Sequence, residues 1–326
     1  MLKREANLRA MKRSTFAAAS LAAFAAAWPR RSRAAEPVTV LYAGSLVTVM
    51  ERSVAPELAK QGIEFRGEAK GSNALANLIS SGLRQPDVFI SADPKLIDGL
   101  MGGAKPLARW GITFATTRLV IGYARGSRFA ADFQSVARNA KKLADVLLEP
   151  GLRLGRTDPV LDPKGYRSII ATKLLAADGG PPDLVARLLG DDRNPAQILP
   201  EEALLARLES GDIDGAFLYS TEAVARNVPF VELPANANLG DPVQAAHYAS
   251  VSVTVDGKTH VGGIAAYAFT IPTVAPHPAT AERFITFLFS PDGRALLTKN
   301  GVTLIHPITS GDAASVPAAI RAALPA

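Results

Sequence analysis

The chain has 326 residues, no cysteine, 36 Lys/Arg against 30 Asp/Glu, and a formal net charge of +6. Eight of the basic residues and one of the acids fall within residues 1–34, which leaves 28 against 29 and a net charge of −1 for the rest. The lack of cysteine excludes thiol catalysis, disulfides and cysteine-ligated metals, and the near-neutral body offers no basic stripe for nucleic acid or an anionic membrane.

The first feature in chain order is a leader. Lys12-Arg13 precede an apolar run from Phe16 to Trp28, and Ser32-Arg33-Ala34 puts small residues at the two positions a signal peptidase reads. The run is shorter than the ~20 residues of a spanning helix. Residues 1–34 are therefore expected to be a cleaved signal peptide and the remainder an exported, periplasmic protein. The segment Lys12-Arg13-Ser14-Thr15-Phe16 also resembles a twin-arginine export signal with Lys in place of the first arginine. No later apolar run is long enough to span a bilayer.

Beyond the leader, apolar and amphipathic runs alternate. A strand is predicted at 38–42, a helix at 47–60, a strand at 63–70, a helix at 74–80, a short buried strand at 87–91 and a Pro-initiated helix from 94. A further strand at 119–124 is followed by helices near 132–140 and 141–147, an extended stretch at 152–155 and a helix at 166–176. Then come a helix at 201–209, a strand at 214–219, a hairpin at 251–261 turning on Asp256-Gly257, a strand at 265–271 and a closing helix at 281–289. This order implies an α/β protein with parallel strands and helices on both faces, whose ligands sit at the C-terminal ends of the strands. The chain leaves a first lobe (35–117 plus 272–326) near 118, builds a second (118–271) and returns near 272. Two crossing segments make a natural hinge.

Four junctions share one pattern: Leu41-Tyr42-Ala43-Gly44-Ser45-Leu46, Lys70-Gly71-Ser72-Asn73, the turn from Asp158-Pro159 to Asp162-Pro163-Lys164-Gly165-Tyr166, and Leu218-Tyr219-Ser220-Thr221-Glu222-Ala223. Each places small or hydroxyl residues where a strand gives way to a helix, so free N–H groups and hydroxyls gather at the positive end of a helix dipole. Four such junctions on one cleft describe a receptor for a small oxyanion. Each residue also has a plainer role. Ser45 and Ser72 suit helix capping, Asp162 a turn or cap, Tyr219 a core tyrosine, and Arg156 and Arg167 ordinary ion pairs. His247, His260, His277 and His306 lack metal-binding spacing, and neither a Gly-x-Ser-x-Gly elbow nor a Walker loop is present.

The ordered set Tyr-Ala-Gly-Ser-Leu (42–46), Lys-Gly-Ser-Asn (70–73), Pro-Asp-Val-Phe-Ile-Ser-Ala-Asp (86–93), Leu-Gly-Arg-Thr-Asp-Pro-Val-Leu-Asp-Pro-Lys-Gly-Tyr-Arg-Ser (154–168), Asn-Leu-Gly-Asp-Pro (238–242) and Tyr-Ala-Phe-Thr-Ile-Pro (267–272) resembles the periplasmic molybdate/tungstate-binding proteins of ABC transporters, in particular their archaeal tungstate-binding branch. The resemblance spans about 37–307. It implies a type II periplasmic-binding fold of two α/β lobes, a molybdate or tungstate ligand, an ABC permease as partner, a monomeric receptor, and neither catalytic residues nor a cofactor. It assigns hydroxyl ligands to Ser45, Ser72 and Tyr219, and it assigns the turn that offers a backbone N–H and a carboxylate near the oxyanion's metal to Asp162 and Lys164. The branch has a glutamate immediately before the tyrosine, where this chain has Leu218. That departure favours a four-coordinate oxyanion held by hydrogen bonds over a six-coordinate one. Receptors for sulfate, phosphate, ferric ion or an organic acid remain alternatives, as does a periplasmic enzyme using Asp162.

Overall fold

The structure is a computed structural model that describes residues 35–325; the expected leader lies outside the described residues. In chain order the strands are β1 (Glu36–Ala43), β2 (Ile63–Lys70), β3 (Val88–Ser91), β4 (Trp110–Thr116), β5 (Leu119–Tyr123), β6 (Leu154–Thr157), β7 (Ile198–Leu199), β8 (Gly215–Tyr219), β9 (Phe230–Glu232), β10 (Ser252–Val255), β11 (Lys258–Val261), β12 (Ala266–Thr270) and β13 (Thr303–Gly311). The helices that position the site are α1 (Ser72–Ser80), α2 (Pro94–Leu100), α3 (Pro163–Ala177), α4 (Glu201–Glu209) and α5 (Ser220–Ala225).

Two sheets carry the fold. The first has the order β13-β4-β12-β3-β1-β2 and the second β7-β6-β8-β5-β9. The expectation of parallel pairing holds where strand and helix alternate locally: β1 with β2 and β3, and β6 with β7 and β8. It fails for the strands that return from elsewhere, because β12 and β13 lie antiparallel to β4 and β5 lies antiparallel to β8 and β9. The predicted hairpin is present as β10 against β11.

The chain passes from the first sheet to the second between β4 and β5, as expected near 118. Its return comes earlier than the expected 272. Strand β12 pairs with β3 and β4, so it belongs to the first sheet and the crossing lies before Ala266. The two crossings run side by side, with the Thr117 amide donating to the Ala265 carbonyl at 2.9 Å. Among the described residues, no helix is long and apolar enough to cross a membrane.

Side-chain alternation decides what each strand offers the cleft. In β8, Phe217 and Tyr219 join the larger apolar cluster while Ala216 and Leu218 face a separate one with Val120, Leu204 and Leu208. The predicted helix at 47–60 is interrupted by a π-helical turn, Met50–Val54, whose Glu51 accepts from the Tyr42 hydroxyl at 2.6 Å.

The start of α3 is packed to its limit. A Cβ on Gly165 would lie 2.6 Å from Asp158 C, Pro159 N and Thr157 O, all backbone atoms that cannot step aside. Gly165→Ala is expected to cost about 1–3 kcal/mol in urea denaturation, the usual penalty of overpacking. Gly99 in α2 is the opposite case, since a Cβ there would meet nothing within 4 Å. Gly99→Ala should therefore stabilise by about 0.5–1 kcal/mol through helix propensity.

Candidate functional site

The five residues singled out in the sequence are all buried between the two sheets: Ser45 is 3% exposed, Asp162 3%, and Ser72, Lys164 and Tyr219 are fully enclosed. Neither serine caps a helix. The N-cap before the 3-10 turn Gly44–Leu46 is Ala43, that before α1 is Gly71, and neither makes a side-chain cap bond. The serine hydroxyls accept instead from elsewhere in the fold. Ser45 Oγ accepts from the Tyr267 hydroxyl at 3.0 Å, and Ser72 Oγ from the Ala92 amide at 3.0 Å. The Tyr219 hydroxyl accepts from the Arg167 guanidinium at 2.8 Å.

These contacts form one network. Arg167 Nη1 donates both to Tyr219 and to the carbonyl of Ala92 at 2.6 Å, and the amide of that same Ala92 holds Ser72. The Tyr219 and Tyr267 rings meet edge to face with centroids 6.3 Å apart, and Tyr267 holds Ser45. Each of the three hydroxyls is fixed as an acceptor and finds no acceptor for its own proton among the described residues.

The first turn of α3 supplies the charges. Asp162 is its N-cap, with Oδ1 accepting from the Lys164 amide at 3.0 Å, so the cap role is real. Its Oδ2 is buried without a partner, so the cap does not exhaust the carboxylate. Lys164 Nζ donates to both oxygens of Glu222 at 2.7 and 2.8 Å and to Glu201 Oε1 at 3.3 Å. Burial alone would lower the Lys164 pKa, but the surrounding carboxylates of Glu222, Glu201 and Asp162 outweigh it and raise it. Lys164 is therefore an ammonium throughout the ordinary pH range.

Arg167, one turn further on, also faces Asp93 at 3.9 Å. Tyr166 donates its hydroxyl to that same carboxylate. Burial pushes Asp93 upward, yet the Arg167 charge and the Tyr166 hydrogen bond together hold its carboxyl below the usual range. Burial raises the Tyr219 and Tyr267 hydroxyls well above the ordinary tyrosine range, which keeps both protonated.

The cleft is shut. Asn73 Nδ2 donates to the Val160 carbonyl at 2.9 Å and the Ala74 amide to the Leu161 carbonyl at 3.1 Å. A Cβ on Gly71 would fall 2.4 Å from Leu161 O, and one on Gly44 2.7 Å from Glu201 Cγ. A cavity of about 370 Å³ reaches Asp162 and Glu201 from the side of Lys70 and Leu161.

Four groups at this site were not singled out from the sequence as ligands or partners of ligands: Arg167, Tyr267, Glu201 and Glu222. Arg167 was expected to be an ordinary ion-paired residue; it does pair with Asp93, and it also links Tyr219 to Ala92. Arg156, weighed beside it, is buried against the 191–197 loop through Gln197, Asp192 and Asp191 and takes no part. Asp158 behaves as a turn residue, accepting from the Val160 amide. Leu218 supplies no carboxylate, but Glu222 brings one a turn later.

Two mixed sheets joined by paired crossings, with a buried polar cleft between them, make up the type II periplasmic-binding fold. The molybdate-binding protein of Azotobacter vinelandii shares this fold with a TM-score of 0.55, at 19% identity over 82% of this chain and 99% of that one. Residues 38–303 match the family of bacterial extracellular solute-binding proteins, and the chain belongs to that family. A Haloferax volcanii protein provisionally named as an ABC transporter molybdenum-binding protein is 40% identical over 74% of each chain. The molybdate/tungstate-binding protein WtpA of Pyrococcus abyssi is 28% identical over 82% of this chain and 84% of its own.

Because Lys164 answers to Glu222 and Glu201 in a space closed to solvent, removing it leaves buried charge uncompensated. Lys164→Met should destabilise the protein by about 3–5 kcal/mol at neutral pH. The double variant Lys164→Met, Glu222→Leu should recover most of that loss, since both members of the pair are then apolar. Urea midpoints of the two variants check this, and equal losses would rule the pair out as the source.

Proposed function

We propose that this protein is an exported receptor that captures molybdate or tungstate in the cleft between its two sheets and delivers it to an ABC permease, acting as a monomer after removal of residues 1–34. Ser45, Ser72 and Tyr219 donate to the oxyanion. The α3 N-terminus around Asp162 and Lys164 completes the enclosure. The observation that carries the reading is that each hydroxyl is held as an acceptor by an internal donor (Tyr267, the Ala92 amide or Arg167), which leaves three hydroxyl protons without an acceptor among the described residues.

A dehydrated dianion is costly unless its oxygens are saturated with donors. Hydroxyls fixed in this way give up little entropy on binding. Oriented dipoles at the start of α1 and α3 add to them, because Gly71 and Asp162 bring the two helix N-termini together across the cleft. Discrimination against sulfate follows from size. A cavity shaped for the larger tetrahedron leaves sulfate with stretched bonds, each weaker by on the order of 1 kcal/mol. The names of the Haloferax and Pyrococcus relatives support the same ligand class.

Titration calorimetry with molybdate, tungstate, sulfate and phosphate tests the assignment. Ser45→Ala, Ser72→Ala and Tyr219→Phe should each weaken molybdate and tungstate binding about tenfold to a hundredfold, the equivalent of the roughly 1.5–3 kcal/mol of a hydrogen bond to a charged group. Thermal melts should show these variants folded, and should show the wild type stabilised by either metal oxyanion. Stabilisation by some other solute, with none from molybdate or tungstate, would pass the assignment to that solute.

A further inference from the structure

Glu201 opens α4 and packs directly on Gly44, the residue before Ser45, so its carboxyl borders the hydroxyl network. Lys164 spends two short hydrogen bonds on Glu222 and reaches Glu201 Oε1 only at 3.3 Å. Glu201 Oε2 is buried with no partner, and so is Asp162 Oδ2. Both carboxyls flank Lys164, one accepting from its amide and the other from its ammonium, and both line the same cavity. Two ionised carboxyls have only acceptors to offer, so neither orphan oxygen can satisfy the other; a single proton between them satisfies both.

We propose that Asp162 and Glu201 share one proton, carried on Glu201, and that this proton leaves the cleft presenting donors only, so that it selects a fully ionised tetrahedral oxyanion over one that carries a proton. The proposal rests on the oxyanion reading above and deepens it. Hydrogen phosphate brings a P–O–H group that must donate to something, and a free Asp162 Oδ2 is the acceptor it would need. Glu201 occupies that acceptor. Molybdate and tungstate dianions have no such proton and lose nothing by its occupation.

The charge count agrees. Asp162, Glu201 and Glu222 share the ammonium of Lys164, while the Arg167 charge answers to Asp93. Three buried carboxylates, one ammonium and an incoming dianion cannot coexist without a proton. Burial, then the Asp162 charge, and then Glu222 raise the Glu201 carboxyl well above the ordinary range, with Lys164 opposing. The Tyr267 hydroxyl lies nearby on Ser45, next to the Gly44 on which Glu201 packs, and Lys70, Asp158 and Glu202 line the adjoining cavity.

The test uses the mature protein, Glu201→Gln, which keeps a donor toward Asp162 but cannot ionise, and Glu201→Leu, which frees the acceptor. Molybdate affinity of the wild type should fall with rising pH, by up to about tenfold per pH unit, across the range in which the shared proton is lost. Glu201→Gln should hold its low-pH affinity throughout that range. Glu201→Leu should lose at least about tenfold in molybdate affinity and gain binding of inorganic phosphate. In ligand-free protein, the infrared difference between wild type and Glu201→Gln should contain the C=O stretch of a protonated carboxyl. Coincident pH profiles for wild type and Glu201→Gln, absence of the carboxyl band, or phosphate excluded equally by Glu201→Leu would overturn the proposal. A wild type that binds no oxyanion while showing the band would sink the oxyanion reading and the selectivity with it, and leave the shared proton standing.

Discussion

The ammonium of Lys164 has no solvent contact and three carboxyl groups around it, and most of the cleft's geometry follows from that. A buried charge is tolerated only when paired with good geometry. The bidentate contact to Glu222 provides this and ties the start of α3 to the start of α5. Glu222 in turn accepts from the Tyr219 amide at 2.8 Å, so the pair fixes the end of β8 from which the Tyr219 ring projects. Arg167, one turn along from Lys164, then meets the hydroxyl of that ring. One helical turn, from the Asp162 cap to Arg167, therefore sets both the local charge and the orientation of the tyrosine.

Closure of the cleft depends on few direct bonds. Asn73 to Val160, Ala74 to Leu161, Arg167 to Ala92 and Tyr166 to Asp93 join groups on the two sheets' sides. At the crossings, a ladder of hydroxyls joins Thr117, Ser220 and Thr221, and Thr221 reaches the Gly301 carbonyl at 3.3 Å. Such a set can be broken and remade at modest cost, which suits a receptor that must open to load. A ligand that touches groups on both sides of the cleft binds the closed arrangement better than any open one. That difference in affinity is all that is required to shift the population toward closure.

The fold was legible wherever strand, turn and helix follow one another locally. The β1, β2 and β3 units, the Asp256-Gly257 hairpin and the helix after Asp162 all carry their signals within a few residues. Strands β4 and β13 carry no comparable signal, because they pair with segments far away in the chain, and the true place of β12 moves the return crossing ahead of the expected 272. The ligand candidates were found because glycine-hydroxyl junctions are visible in a single sequence. Their supports were not. Glu201 reads as an ordinary acid at a helix start, and Glu222, three residues after Tyr219, reads as a capping-box acid, which it also is. Tyr267 sits 222 residues from the serine it holds, a distance over which no spacing rule operates.

The leucine before Tyr219 shows why a single position cannot settle the chemistry of the cleft. Strand geometry sends Leu218 to the face opposite Tyr219, into the apolar cluster with Val120 and Leu208, and a Cβ on Gly122 would come within 2.5 Å of its Cδ1. A carboxylate at 218 would have to be buried among those groups or bend the strand to escape them. This chain brings its carboxylate from Glu222 instead, on the first turn of a helix, and neutralises it at once with Lys164. A carboxylate committed to an ammonium through both oxygens is a poor ligand for a metal centre. Asp162 spends Oδ1 on the helix cap and keeps Oδ2 buried without a partner, so only part of that carboxylate is committed. With Glu222 spent on Lys164, the polar groups near the cleft are mostly hydroxyls, which favours a tetrahedral anion held through its oxygens over one whose metal expands its coordination.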